Sequence, residues 1–148
     1  MQMEETDMIR ITTLAAASLL AFGGAAHAIG GDLSSLPEAL ELQVGTGDNG
    51  FGMEPSEFQM QTGQAYRLKV QAVGWHECNW QAPRFFQNAW LRKIEAGNME
   101  IKVAQLNELE MDADGEVELF FVPIRPGTYS FGCRGLEDRG MTGTFVVQ

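Results

Sequence analysis

Residues 131–145 read FGCRGLEDRGMTGTF. Cys133 closes an alternating apolar run that includes Tyr129 and Phe131, a polar loop from Arg134 to Gly140 follows, and Met141 opens another apolar run. Alternation with a period of two marks a strand with one buried face. The stretch is therefore expected to be two strands separated by a polar loop. Upstream, Val117, Leu119 and Phe121 form the apolar half of a further strand, joined to the one ending at Cys133 through Pro123 and Pro126-Gly127. Downstream, the last strand is expected to run from Thr142 to Val147.

The same pattern recurs toward the N-terminus. Tyr66, Leu68, Val70 and Ala72 alternate with Arg67, Lys69 and Gln71, which predicts a half-buried strand. Leu40, Leu42 and Val44 predict another, ending at the turn-rich GTGDNG of 45–50. Glu57 to Gln61 reads as a short strand before the Thr62-Gly63 turn. Ile101 and Val103 read as part of one more. Leu106, Leu109 and Met111 make an extended or helical segment before Asp114-Gly115. Between 75 and 91 the alternation breaks into WHECNWQAPRFFQNAWL, rich in aromatic residues and interrupted by Pro83. No long amphipathic helix is evident. Short strands punctuated by Gly and Pro predict an all-β chain, an antiparallel sandwich or barrel.

The first residues point to export. Met8-Ile9-Arg10 is a short positive start, Ile11 to Phe22 is apolar, and Ala26-His27-Ala28 has the small-residue pattern of a cleavage site. The apolar run is shorter than the ~20 residues a membrane span needs. The acidic MQMEETD sits awkwardly before such a leader, so Met8 is the expected true start. The organisation expected is a signal peptide over 1–28, a flexible lead-in over 29–39, and one domain over 40–148 of a periplasmic, monomeric protein. Removing 1–28 takes away three negative charges and one positive, so the net charge of −10 becomes −8. Such an acidic body is repelled by nucleic acid and by anionic membrane surfaces. The mature chain, about 120 residues, is long enough to bury a core of its own.

Cys78 and Cys133 are the only cysteines, and His76 is the only histidine beyond the leader. In an oxidising compartment two cysteines are expected to pair.

From about Phe51 onward the chain resembles a cupredoxin, the Greek-key β-sandwich of azurin and plastocyanin. VELFFVPIRPGTYSFGC (117–133) followed by MTGTFVV (141–147) carries the resemblance. It matches the family's apolar strand, Pro-Gly-Thr-Tyr corner, strand ending in Cys, and last strand opened by Met-x-Gly-Thr. The resemblance implies copper held by Cys133 and Met141, with one histidine on an earlier strand and another between the two. Here nothing between Cys133 and Met141 is an imidazole, and only His76 remains elsewhere. A trigonal blue site needs two imidazoles and a thiolate, so an unmodified one is excluded on ligand count. At the early ligand position, FFQNAWL (85–91) places Gln87, with Asn88 beside it. WHECNW (75–80) instead places His76 or Cys78 there, and both alignments stay open.

Two fates of Cys133 follow. In one, Cys78, His76, Cys133 and Met141 converge as a soft donor set that favours Cu(I), with Zn(II) second. Glu137 or Asp138 in place of the missing imidazole would harden the site toward Cu(II) or iron, and the chain resembles some cupredoxin-like domains associated with iron uptake in lacking the usual histidines. The function implied is copper handling or one-electron transfer with a redox or metal-trafficking protein partner. In the other, Cys78 and Cys133 form a disulfide, and the protein is a metal-free binding module that meets a partner through its aromatic end. That end holds Trp75, Trp80, Phe85, Phe86 and Trp90, which serve as core or as a docking patch, with Arg84, Arg134 and Arg139 read as neighbours. The acidic run Glu108, Glu110, Asp112 and Asp114 reads as a solvated face. No nucleophile elbow, phosphate-cradling glycine loop or His-x-x-x-His pair is present, so an enzyme is not expected.

Overall fold

The computed structural model describes residues 33–148. The leader expected over 1–28, the start at Met8 and the first residues of the lead-in lie outside them. The first strand, β1 (Glu38–Thr46), begins within the segment read as lead-in. After it come β2 (Gly52–Glu54), β3 (Glu57–Met60), β4 (Tyr66–Ala72), β5 (Cys78–Gln81) and one helical turn, α1 (Pro83–Phe86). The remaining strands are β6 (Ala89–Ala96), β7 (Met99–Ile101), β8 (Leu109–Met111), β9 (Glu116–Pro123), β10 (Gly127–Cys133) and β11 (Thr142–Val147). No helix of the described residues is long and apolar enough to cross a membrane.

The strands form an all-β sandwich of two sheets, one in the order β2-β1-β4-β9-β6-β7 and the other in the order β3-β11-β10-β5-β8. Consecutive strands β9 and β10 fall in opposite sheets, so the Pro123–Pro126 connection crosses from one layer to the other. Two pairings are parallel, β1 with β4 (Leu42 opposite Val70) and β3 with β11 (Phe58 opposite Phe145). The antiparallel expectation is modified at these two places. Alternation reports which face is buried and is the same for either strand direction. The ambiguous segment around Leu109 is extended, as β8, and Val103 falls just outside β7.

The aromatic break between 75 and 91 resolves into β5, α1 and β6. Pro83 occupies the first turn of α1, where its missing N–H leaves no hydrogen bond unmade. That turn delivers Phe85 into the space between the layers, fully buried. The Phe85 ring centroid lies 5.1 Å from that of Phe121 in the first sheet. It lies 4.6 Å from Phe145 and 5.7 Å from Tyr129 in the second. Leu42, Leu68, Val70, Leu119 and Trp80 fill the same layer. One side chain thus packs against both sheets, and tilted and edge-on ring geometry adds to its area burial.

Replacing Phe85 by Ala is expected to cost about 3–5 kcal/mol, read as a lower urea midpoint. Gly143 sits where an added Cβ would come within 2.5 Å of the Ser56 carbonyl and 2.4 Å of the Phe131 ring. Gly143→Ala is therefore expected to cost about 1–3 kcal/mol by overpacking, measured the same way.

Candidate functional site

The loop between β10 and β11 is held at both ends by backbone hydrogen bonds. The Cys133 N–H donates to the Met141 carbonyl at 3.0 Å, and the Leu136 N–H donates back to the Cys133 carbonyl at 2.9 Å. Inside the loop, Glu137–Arg139 form a short 3-10 turn, and Gly140 leaves it at φ +107°, a conformation that suits glycine. Cys133 and Met141 are completely buried at the base, whereas Glu137, Asp138 and Arg139 point to solvent.

Of the two fates open to Cys133, the structure has the disulfide. Cys133 is bonded to Cys78 with the two Cα atoms 5.1 Å apart, and both residues are fully buried. The pairing follows from register. Cys133 lies opposite Trp80 across β10 and β5, and Cys78, two residues from Trp80, shares its face. The sulfur that the resemblance assigned to copper is therefore in a covalent bond to carbon-borne sulfur, with no thiolate to donate.

The other expected ligands are dispersed. His76 is half-buried in the 73–77 connection, where its Nε2 donates to the Asn49 carbonyl at 3.1 Å. Its ring stacks on Phe51 with centroids 3.9 Å apart, and Trp75 lies 5.3 Å from it. Gln87 caps α1 and faces solvent. Among the described residues no three His, Cys, Asp or Glu side chains gather as a metal cluster. The donor set does not fit a blue copper centre.

The loop has other partners. The Arg139 guanidinium lies 4.0 Å from the Phe51 ring centroid, within cation–π range. Arg134 pairs with Glu108 at 3.2 Å, and Asn79 donates to the same carboxylate at 3.1 Å. Glu108, read from the sequence as part of a solvated run, instead ties the loop to the strand end before β8. Phe51 and Asn49 joined the site unannounced. They precede His76 by more than 20 residues, and no periodicity links the two segments. Of the aromatic cluster, Trp80, Phe85 and Phe86 are core, whereas Trp75 is 65% exposed and Trp90 47%.

No protein-family model and no curated protein sequence matches the chain. Solved structures do. An auracyanin from Roseiflexus castenholzii is 17% identical with a TM-score of 0.52, the match covering 77% of this chain and 99% of that one. A multicopper oxidase from Campylobacter jejuni is 14% identical with a TM-score of 0.55, over 78% of this chain and 31% of the oxidase. McoA, a multicopper oxidase from Aquifex aeolicus, is 12% identical with a TM-score of 0.58, over 78% of this chain and 30% of the oxidase. The chain spans under a third of each oxidase and nearly the whole length of the auracyanin. At these identities the likeness is one of fold, and it agrees with the sandwich and the β10–β11 hairpin described above. The chain has the cupredoxin-like fold, with a degenerate ligand set whose cysteine is bridged.

Proposed function

We propose that this chain is an exported, non-catalytic binding module, stapled by Cys78–Cys133, that meets a protein partner through the end carrying Trp75, His76, Phe51 and Arg139. The observation that carries the reading is the buried disulfide at the position where the family's thiolate would stand. Exposed tryptophan and arginine are among the residues that dominate protein–protein contacts, and here Trp75 and Arg139 are linked through the His76–Phe51 stack. Trp75 projects from a connection fastened by the His76–Asn49 hydrogen bond and the His76–Phe51 stack, so little ordering is left for binding to supply.

A second reading is favoured by one placement. Cys78, Cys133 and Met141 are all fully buried, and the Cys133 N–H to Met141 carbonyl bond holds the last two at one end of the sandwich. A reduced chain would present sulfur donors that favour Cu(I). The copper role this supports is trafficking, because one-electron transfer requires Cu(II) to be held as well.

Intact mass with and without reductant, together with metal analysis of protein isolated from copper-fed periplasm, separates the readings. The expected result is a mass two hydrogen atoms below the reduced chain and no stoichiometric metal. Two free thiols with bound copper would overturn the first reading in favour of the second. Competition of the reduced protein with a chromophoric Cu(I) chelator tests the second directly. Affinity lost in Met141→Leu supports it, and no affinity above that of a cysteine-free variant removes it.

The disulfide spans a sequence separation of 55. The Cys78→Ala/Cys133→Ala variant is therefore expected to lose roughly 4 kcal/mol by loop-entropy bookkeeping. Chemical denaturation of the variant beside the oxidised protein measures this.

A further inference from the structure

Strand β7 is the last strand of the larger sheet, paired with β6 on one side only. Ile101 lies opposite Ile94 and Met99 opposite Ala96, and residues opposite each other share a face. Ile94 is 5% exposed, so this is the face turned toward the core. Yet Met99 is 64% exposed, Ile101 36% and Val103 37%. The apolar face of the larger sheet runs out beyond the cover that the smaller sheet provides.

The opposite face of the same stretch carries Glu100 and Lys102. Glu100 is held by Lys102 at 2.9 Å and by Lys93 at 3.0 Å. Those two ammonium groups keep its carboxyl below the ordinary carboxylate range, Lys102 foremost. Residues 99–103 thus read apolar, acidic, apolar, basic, apolar, as MEIKV. Exposed edges of natural sheets are usually blunted by charges that repel another strand. Here the charges alternate in sign, and the stretch is complementary to itself when reversed.

We propose that this edge is an interface for a second copy of the chain, paired antiparallel about a twofold axis at Ile101. In that register Ile101 meets Ile101 of the second copy, Met99 meets Val103, and Glu100 meets Lys102 twice. Centring the pairing on Glu100 or on Lys102 would instead set like charges opposite each other, which is destabilising. Charge therefore selects the register, and the exposed apolar strip gains the cover it lacks within one chain. Lys102 is 70% exposed, so turning it from its own Glu100 to that of the second copy costs little. Lys102 and Val103 lie outside the ladder with β6 and would join the new one. The net charge of −10 opposes self-association, and the strip is short, so the dimer is weak. A monomer is the expectation from sequence, which weighs only Ile101 and Val103 of this stretch.

Sedimentation equilibrium of the folded, oxidised chain from micromolar to millimolar concentration tests this, at physiological ionic strength. The expected result is a concentration-dependent monomer–dimer equilibrium. Glu100→Lys and Lys102→Glu alone should each weaken it by about tenfold or more, because both interchain pairs become like-charged. Glu100→Lys with Lys102→Glu together should restore it to within about threefold of the parent. These side chains are exposed, and unchanged circular dichroism confirms that folding is intact. A monomer at every concentration overturns the proposal. So does a dimer indifferent to the single reversals, or one that the double reversal fails to rescue.

Discussion

The bond between Cys78 and Cys133 ties β5 to β10 at the point where the β10–β11 loop leaves the sandwich. Everything at that end is arranged around it. Met141 is buried beside the strand end through the backbone bond to Cys133, and Arg134 reaches outward to Glu108. The short 3-10 turn projects Arg139 toward Phe51. A metal centre organises its loop by drawing several side chains inward to one ion. Here the base is closed by one covalent bond, and the loop's polar side chains are left to face outward.

Packing beneath that end depends on few large rings. Phe85 comes from a single helical turn, touches aromatic residues of both sheets, and makes the strand-poor stretch between β5 and β6 a part of the core. Trp80, beside the disulfide, is completely buried, and its indole N–H has no partner among the described residues. An unmade hydrogen bond of this kind costs about 1–3 kcal/mol. The surrounding apolar contacts of so large a ring offset it.

Much of the fold was legible because alternation reports burial directly. Tyr66, Leu68, Val70 and Ala72 are all buried, and the last strand has the bounds that its pattern predicts. Strand direction was not legible, since Leu42 beside Val70 looks the same in a parallel or an antiparallel pair. The helical turn of α1 was hidden for another reason, because four residues are too few to show a helical period. At the site, ligand count excluded a blue centre from the sequence alone. The choice between disulfide and thiolates depended on β5 lying next to β10, a neighbourhood that spacing does not encode. The contact of His76 with Phe51 and Asn49 joins loops distant in sequence and left no trace in it.

The parallel pairing of β3 with β11 sets Glu57 beside Thr144 and Met60 beside Val147. β11 also pairs with β10 on its other side, so the smaller sheet is bridged by the last strand described. Contacts of such long separation make folding slow, because chain closure precedes any reward from packing. A ribosome that still holds residues 142–147 holds back the strand that joins β3 to the rest of its sheet.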